Sequence, residues 1–179
     1  METFTELKPF VNNPQFSHQR QHCLSKLDFN AIDEPILGLI RNLVRFDFCF
    51  TLQSCYGHFV YEKQNDRYNT LPLPTFPISG GIEYRIAYIA LCLENNENGK
   101  AFLKNLSHLR SIDAHYIQFG SADWFWDKQV NSFVLQVEPE RFRYKDKAIV
   151  DYKEALYLEK IRNQFFLKLN NILSSHYNL

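Results

Sequence analysis

The stretch Phe46-Asp47-Phe48-Cys49-Phe50-Thr51-Leu52-Gln53-Ser54-Cys55-Tyr56-Gly57-His58 decides the fold and concentrates the reactive chemistry of the chain. Phe46, Phe48, Phe50 and Leu52 alternate with Asp47, Cys49, Thr51 and Gln53. A period of two in aromatic and β-branched residues predicts a strand with one buried face. The alternation stops at Ser54-Cys55-Tyr56-Gly57-His58, where the glycine is free to take a positive φ. Phe59-Val60-Tyr61 is strand-like again. The reading is a hairpin corner that carries a thiol and an imidazole, held by a rigid strand behind it.

Upstream, residues 1 to 20 are polar with scattered Phe and Pro and predict an irregular lead-in, followed by a short helix over His18 to Leu27. Asp33 reads as an N-cap, with Glu34 and Pro35 in the first turn, where a missing N–H costs nothing. Ile36, Leu39, Ile40, Leu43 and Val44 then keep helical spacing to about Arg45. Downstream, Lys63 to Gly81 holds three prolines and two glycines, which argues for a long loop that either serves as a lid or only joins two strands.

Ile82 to Leu93 begins by alternating and becomes uniformly apolar, as a central strand would. A helix is predicted from Glu97 to Leu109, then strands near His115 to Phe119 and Ser132 to Glu138. The connection Gly120 to Lys128 contains Trp124 and Trp126, which either cap the core or wall a pocket. A long helix from Asp151 to Ser175 carries the stripe Leu158, Ile161, Phe165, Leu169 and Ile172. That stripe is expected on a sheet face, and a homodimer would use the same residues. Strands joined by hairpins, with helices between them, give a single α+β domain with a mainly antiparallel or mixed sheet.

The 179 residues are 45% hydrophobic and 16% aromatic, enough for a core that needs no staples. A formal net charge of zero lends no general support to nucleic-acid binding, which favours a basic excess, although a local basic patch is compatible with it. No secretory signal is visible at Met1 to Lys8, and no run approaches the roughly 18 apolar residues of a spanning helix. Four cysteines without a Cys-x-x-Cys pair are expected to be reduced, in a cytoplasmic protein.

Two chemistries can be read from spacing. A thiol beside an imidazole, as in Cys55 and His58, can ionise near neutral pH and act as a nucleophile. The plainer alternative is a half-buried structural thiol beside a hydrogen-bonded histidine. His18 and His22, at i and i+4 with Cys23 next, have the spacing of two metal ligands on one helix face. No completing pair follows, so they read as surface histidines and no metal is assigned.

Several stretches together resemble the wybutosine-synthesis tRNA methyltransferase family. Asp28, Asp33 and Glu34 precede a helix, as that family's early Asp-rich segment does. Gln53-Ser54-Cys55-Tyr56-Gly57-His58 stands where the family has Ser-Ser-Cys-Ser-Gly-Arg, matching it at Ser54, Cys55 and Gly57. The apolar strand Tyr84 to Leu93 with the helix after it, and Glu159-Lys160-Ile161-Arg162-Asn163-Gln164, are also similar. The family's Trp-Gly-Gly-Lys-like segment has only a remote counterpart in Ser121 to Lys128.

The resemblance implies the family's fold, S-adenosylmethionine as cofactor, and methyl transfer to a base of tRNA or to a nucleoside-like molecule. The catalytic residues expected at this turn are Cys55 and His58, from the thiol–imidazole spacing above. Ser54, Tyr56, Gly57, Tyr84, Arg85, Trp124 and Trp126 would then bind substrate or cofactor, the aromatics by stacking and Arg85 through a phosphate or carboxylate. The altered turn leaves a second expectation, a non-catalytic binding domain that kept the fold. Both expectations place a hollow at the corner, roofed by the 63–81 loop and the two tryptophans.

Overall fold

The passage from strand to turn at Ser54–His58 joins two sheets rather than two strands of one hairpin. The structure is a computed structural model and describes residues 4–143, 145 and 147–176. Expectations for Met1 to Thr3 lie outside the described residues. In chain order the elements are β1 (Phe4–Thr5), α1 (Phe16–Ser25), α2 (Glu34–Leu43), β2 (Cys49–Cys55), β3 (His58–Val60), β4 (Ile82–Arg85) and β5 (Ala87–Leu93). There follow α3 (Glu97–Ser107), β6 (Ile117–Ala122), α4 (Asp123–Lys128), β7 (Ser132–Val137), β8 (Lys147–Val150) and α5 (Tyr152–His176). One sheet has five strands in the order β1-β6-β7-β5-β2, the other three in the order β3-β4-β8. Every pairing is antiparallel, which makes the domain α+β.

Strand runs almost directly into a strand of the other sheet twice, at Tyr56–Gly57 and at Ile86, and the chain changes sheet a third time between β7 and β8. The second crossing splits the single strand expected over Ile82 to Leu93. Its cause is local: the Ala87 N–H donates to the Tyr84 hydroxyl (3.1 Å) instead of a neighbouring strand, and that hydroxyl donates to the Val137 carbonyl (3.0 Å). The two crossings touch. Gly57 has φ +90°, and a Cβ there would lie 2.8 Å from the Ala87 Cβ and 3.0 Å from the Ala87 nitrogen. Backbone conformation and crowding both require glycine.

β2 starts at Cys49, three residues later than the alternation predicts, because Phe46 and Phe48 lie in the turn before it and pack on Phe102 (5.9 and 5.8 Å between ring centroids). Cys49, expected to face outward, is buried, and burial pushes its thiol up to about 12. Phe50 and Cys92 pack beneath Phe16 of α1, so the start of this strand is covered on both faces. α1 itself begins at Phe16, two residues before the predicted start. The lead-in is tied down: Lys8 N–H donates to Ser121 Oγ, and the Asn131 side chain bonds both the N–H and the carbonyl of Val11.

Gly120–Lys128 is not a loop, since β6 runs on to Ala122 and α4 follows. β8 was hidden by its length of four residues. Leu158, Ile161, Phe165 and Leu169 of α5 are buried in the core the chain makes for itself. These four residues are therefore not open to a partner helix, while Ile172 at the end of the stripe is half-buried. No helix among the described residues is long and apolar enough to cross a membrane, and all four cysteines are free.

Candidate functional site

Asp33 occupies the N-cap position of α2, but its side chain does not cap the helix. Its Oδ2 instead accepts the Tyr56 N–H (2.7 Å) and faces His58 Nε2 at 3.4 Å. The other ring nitrogen, Nδ1, donates to the Asn69 carbonyl (3.1 Å). A carbonyl only accepts, so Nδ1 carries a proton and the ring's orientation is fixed. Cys55, the last residue of β2, completes the group: one ligand atom from each of Asp33, Cys55 and His58 lies within 4.8 Å of the others.

Charge is unevenly balanced here. Burial pushes the His58 imidazole down, but hydrogen bonds to Asp33 and Cys55 outweigh it and raise it to about 10. Burial likewise pushes the Asp33 carboxyl up, and the hydrogen bonds from His58 and the Tyr56 N–H hold it below its ordinary value. At neutral pH the metal-free corner is a carboxylate beside an imidazolium. Cys55 is brought to the imidazole as its spacing suggested, but Asn69 holds Nδ1 and Asp33 shares Nε2 with Cys55, so this is not a triad with acid and nucleophile on opposite ring nitrogens.

Behind the corner stands Arg162 of α5, 1% exposed. Its Nη1 donates to the Gly57 carbonyl (2.9 Å), and its guanidinium lies 4.0 Å from the Tyr56 ring centroid. The Tyr56 hydroxyl donates to Asn163 Oδ1 (3.0 Å). Glu159 faces Arg162 at 3.5 Å and accepts the Leu73 N–H (2.9 Å), which anchors the 63–81 loop to the same helix. The polar groups of Tyr56 and Gly57 are thus bound by α2 and α5 together. Within the large sheet, the register line from Cys55 runs through Tyr88 and Gln136 to Gln118. Both glutamines are buried, and Gln118 Nε2 has no hydrogen-bond partner among the described residues.

Of the residues expected at the site, Ser54, Cys55, Tyr56, Gly57 and His58 are together, with Arg85 across the sheet from His58. Tyr84 is sealed in the core, stacked on Phe59 with ring centroids 4.9 Å apart, and offers no face to a base. Trp124 and Trp126 do not roof the corner. They follow β6, whose end pairs with Phe4 and Thr5, whereas the corner lies level with Gln118 near the other end of that strand. Trp124 is 59% exposed beneath the Lys128 ammonium, and Trp126 packs on Phe133. The 63–81 loop does cover the corner through Asn69 and through Tyr68, whose ring meets that of His58 at 6.3 Å. His58 is consequently only 3% exposed, and access to the corner is by way of half-buried Asp33 and Cys55.

Two features escaped the sequence reading. Asp33 looked like a helix cap, and only the third dimension turns it toward Tyr56. A groove of about 550 Å³ lies on the outer face of the small sheet, lined by Arg67, Arg85, Lys145 and Lys147 with Glu83, Phe142 and Ile149. One register line there reads His58, Arg85, Lys147. Lys147 is paired with Glu83 (2.6 Å), and Arg85 reaches the Arg67 carbonyl (3.4 Å).

No protein-family model matches the chain, and no curated protein sequence matches it. Among solved structures, the PH1069 protein from Pyrococcus horikoshii is similar at 14% identity, covering 90% of this chain and 95% of that one with a TM-score of 0.50. A second structure of PH1069, from Pyrococcus horikoshii OT3, covers 90% and 93% at 14% identity with a TM-score of 0.48. At such identity the first likeness supports the shared fold.

Proposed function

We propose that this chain binds RNA through the outer face of its small sheet and presents a base to the corner formed by Asp33, Cys55 and His58. In keeping with the resemblance to the wybutosine-synthesis methyltransferases, the reaction is methyl transfer from S-adenosylmethionine to a ring nitrogen of a tRNA base. The observation that carries the reading is the groove: four cations and one carboxylate gathered on one face of a chain whose net charge is zero. Phosphate contacts dominate RNA affinity, and an aromatic beside a basic groove stacks bases. Tyr68, 76% exposed and next to His58, takes the stacking role that sequence gave to the tryptophans.

Asp33 and the 53–58 turn are two of the stretches on which the resemblance rests, and they meet in one hydrogen bond. Methyl transfer requires the base nitrogen and the methyl carbon in line, with the base's proton leaving to an acceptor. The Asp33 carboxylate is the acceptor available at this corner. Bulk tRNA labelling with tritiated S-adenosylmethionine tests the reaction. Transfer lost in Asp33→Asn and retained in Trp124→Ala agrees with it; no transfer to any tRNA, with no thermal stabilisation by saturating S-adenosylmethionine, refutes it.

The second reading, a binding domain without catalysis, draws on the sealed Tyr84 and the distant tryptophans, which remove three of the expected ligand contacts. It predicts salt-dependent tRNA binding that Arg85→Ala weakens, with no response to S-adenosylmethionine.

A further inference from the structure

The Asp33–Cys55–His58 cluster combines three properties of a metal site. Its donor atoms are one oxygen, one sulfur and one nitrogen, mutually within 4.8 Å. The imidazole is oriented from behind, Nδ1–H to a carbonyl, which is how proteins aim a histidine Nε2 at a metal. The separation of His58 Nε2 from Asp33 Oδ2 is 3.4 Å. It equals the edge of a tetrahedron around zinc, about 3.3–3.6 Å for ordinary zinc–nitrogen, zinc–oxygen and zinc–sulfur bonds.

We propose that Asp33, Cys55 and His58 bind one divalent transition-metal ion of the zinc type, with a fourth position open to water or to a ligand. A thiolate and an imidazole select such an ion over Mg²⁺ or Ca²⁺, which require oxygen donors. Three protein ligands with an open fourth position is the pattern of reactive rather than purely structural zinc. His58 Nε2 and Cys55 Sγ bind the ion only without their protons, so metal binding is coupled to proton release. The ligands come from three elements: the start of α2, the end of β2 and the start of β3. The ion therefore closes the junction between the two sheets. The site shares Asp33 with the methyl-transfer reading, but the metal's own signals depend neither on RNA nor on S-adenosylmethionine.

The test uses the full chain, stripped with EDTA and titrated with Co²⁺ alone. One equivalent is expected to produce visible ligand-field bands and a near-ultraviolet thiolate-to-cobalt band, both abolished by a stoichiometric excess of Zn²⁺. Cys55→Ser, a near-isosteric change, is expected to lose the thiolate band, and Cys23→Ser to retain it. In the unaltered chain Zn²⁺ is expected to slow iodoacetamide labelling of Cys55 at least about tenfold, while Mg²⁺ has no effect. Absence of the thiolate band, its persistence in Cys55→Ser, or equal labelling with and without Zn²⁺ would overturn the proposal. Groove variants such as Lys145→Ala are expected to leave the cobalt spectrum unchanged while weakening RNA binding, so each reading fails by a separate signal.

Discussion

The two ends of the large sheet make opposite use of polar and aromatic residues. At the corner end, Arg162 is buried, bound to Gly57 and laid over Tyr56, and Asp33 and His58 complete each other. At the tryptophan end, Trp124 is exposed beneath Lys128, and Lys8 pairs with Asp123 at the surface (2.7 Å). The corner end has residues that are unremarkable singly and converge; the other has the rarer residues and they diverge. Convergence, more than residue type, marks the site.

The sharpest way to break this contrast is to remove a keystone from each end. Arg162→Ala leaves the Glu159 carboxylate without its cation and the Gly57 carbonyl buried without its donor, and should cost about 3–5 kcal/mol. Trp124→Ala should cost no more than about 1 kcal/mol, mostly its cation–π contact. Urea denaturation of both variants decides the matter; equal losses would erase the distinction.

Glycines of matching conformation sharpen it further. Gly57 and Gly80 have φ of +90° and +87°, but nothing lies within 4 Å of a Cβ at Gly80. Gly80→Ala should cost about 1 kcal/mol of backbone strain. Gly57→Ala adds the collision with Ala87 and should cost about 2–4 kcal/mol. A Gly57→Ala protein no less stable than Gly80→Ala would mean that the two sheet crossings are not in contact.

A smaller effect follows from charge. With no metal bound, the hydrogen bonds to Asp33 and Cys55 raise the folded His58 imidazole to about 10, against about 6.5 in the unfolded chain. Its contribution is complete below about pH 6.5 and is lost as pH rises toward 10, because the unfolded chain gives up its proton first. Asp33, held low, contributes fully above about pH 4 and loses its contribution as pH falls below that. Stability from this pair should peak between about pH 4 and 6.5. His58→Gln should flatten the fall on the alkaline side of the urea-midpoint profile. Lys8→Ala, at the other end, should shift stability by less than about 1 kcal/mol and show no such pH dependence.

Much of the architecture was legible in sequence because apolar periodicity reports burial directly. The stripe on α5 and the apolar run of β5 are both where spacing placed them. Sheet membership was not legible. Nothing in Ile82–Leu93 announces that Ile86 is a crossing, since the Tyr84 hydroxyl that captures the Ala87 N–H is an ordinary strand residue in sequence. The turn at 54–58 was recognisable from its composition, and Asp33 from its position before a helix. That they touch depends on a carboxylate turned from its own helix end to the Tyr56 amide, which no local pattern encodes. The groove was invisible for the same reason: its cations come from three separate stretches, at residue 67, at residue 85 and at residues 145 and 147.

The meeting of Asp33 and His58 is the central claim, and the imidazole's own titration tests it most directly. Long-range proton–nitrogen correlation spectra of the metal-free protein should show both nitrogens of His58 protonated at about pH 8, well above the ordinary histidine midpoint near 6.5. In Asp33→Asn the midpoint should fall. A His58 that titrates near 6.5 in the unaltered protein, with no change in Asp33→Asn, would contradict the account.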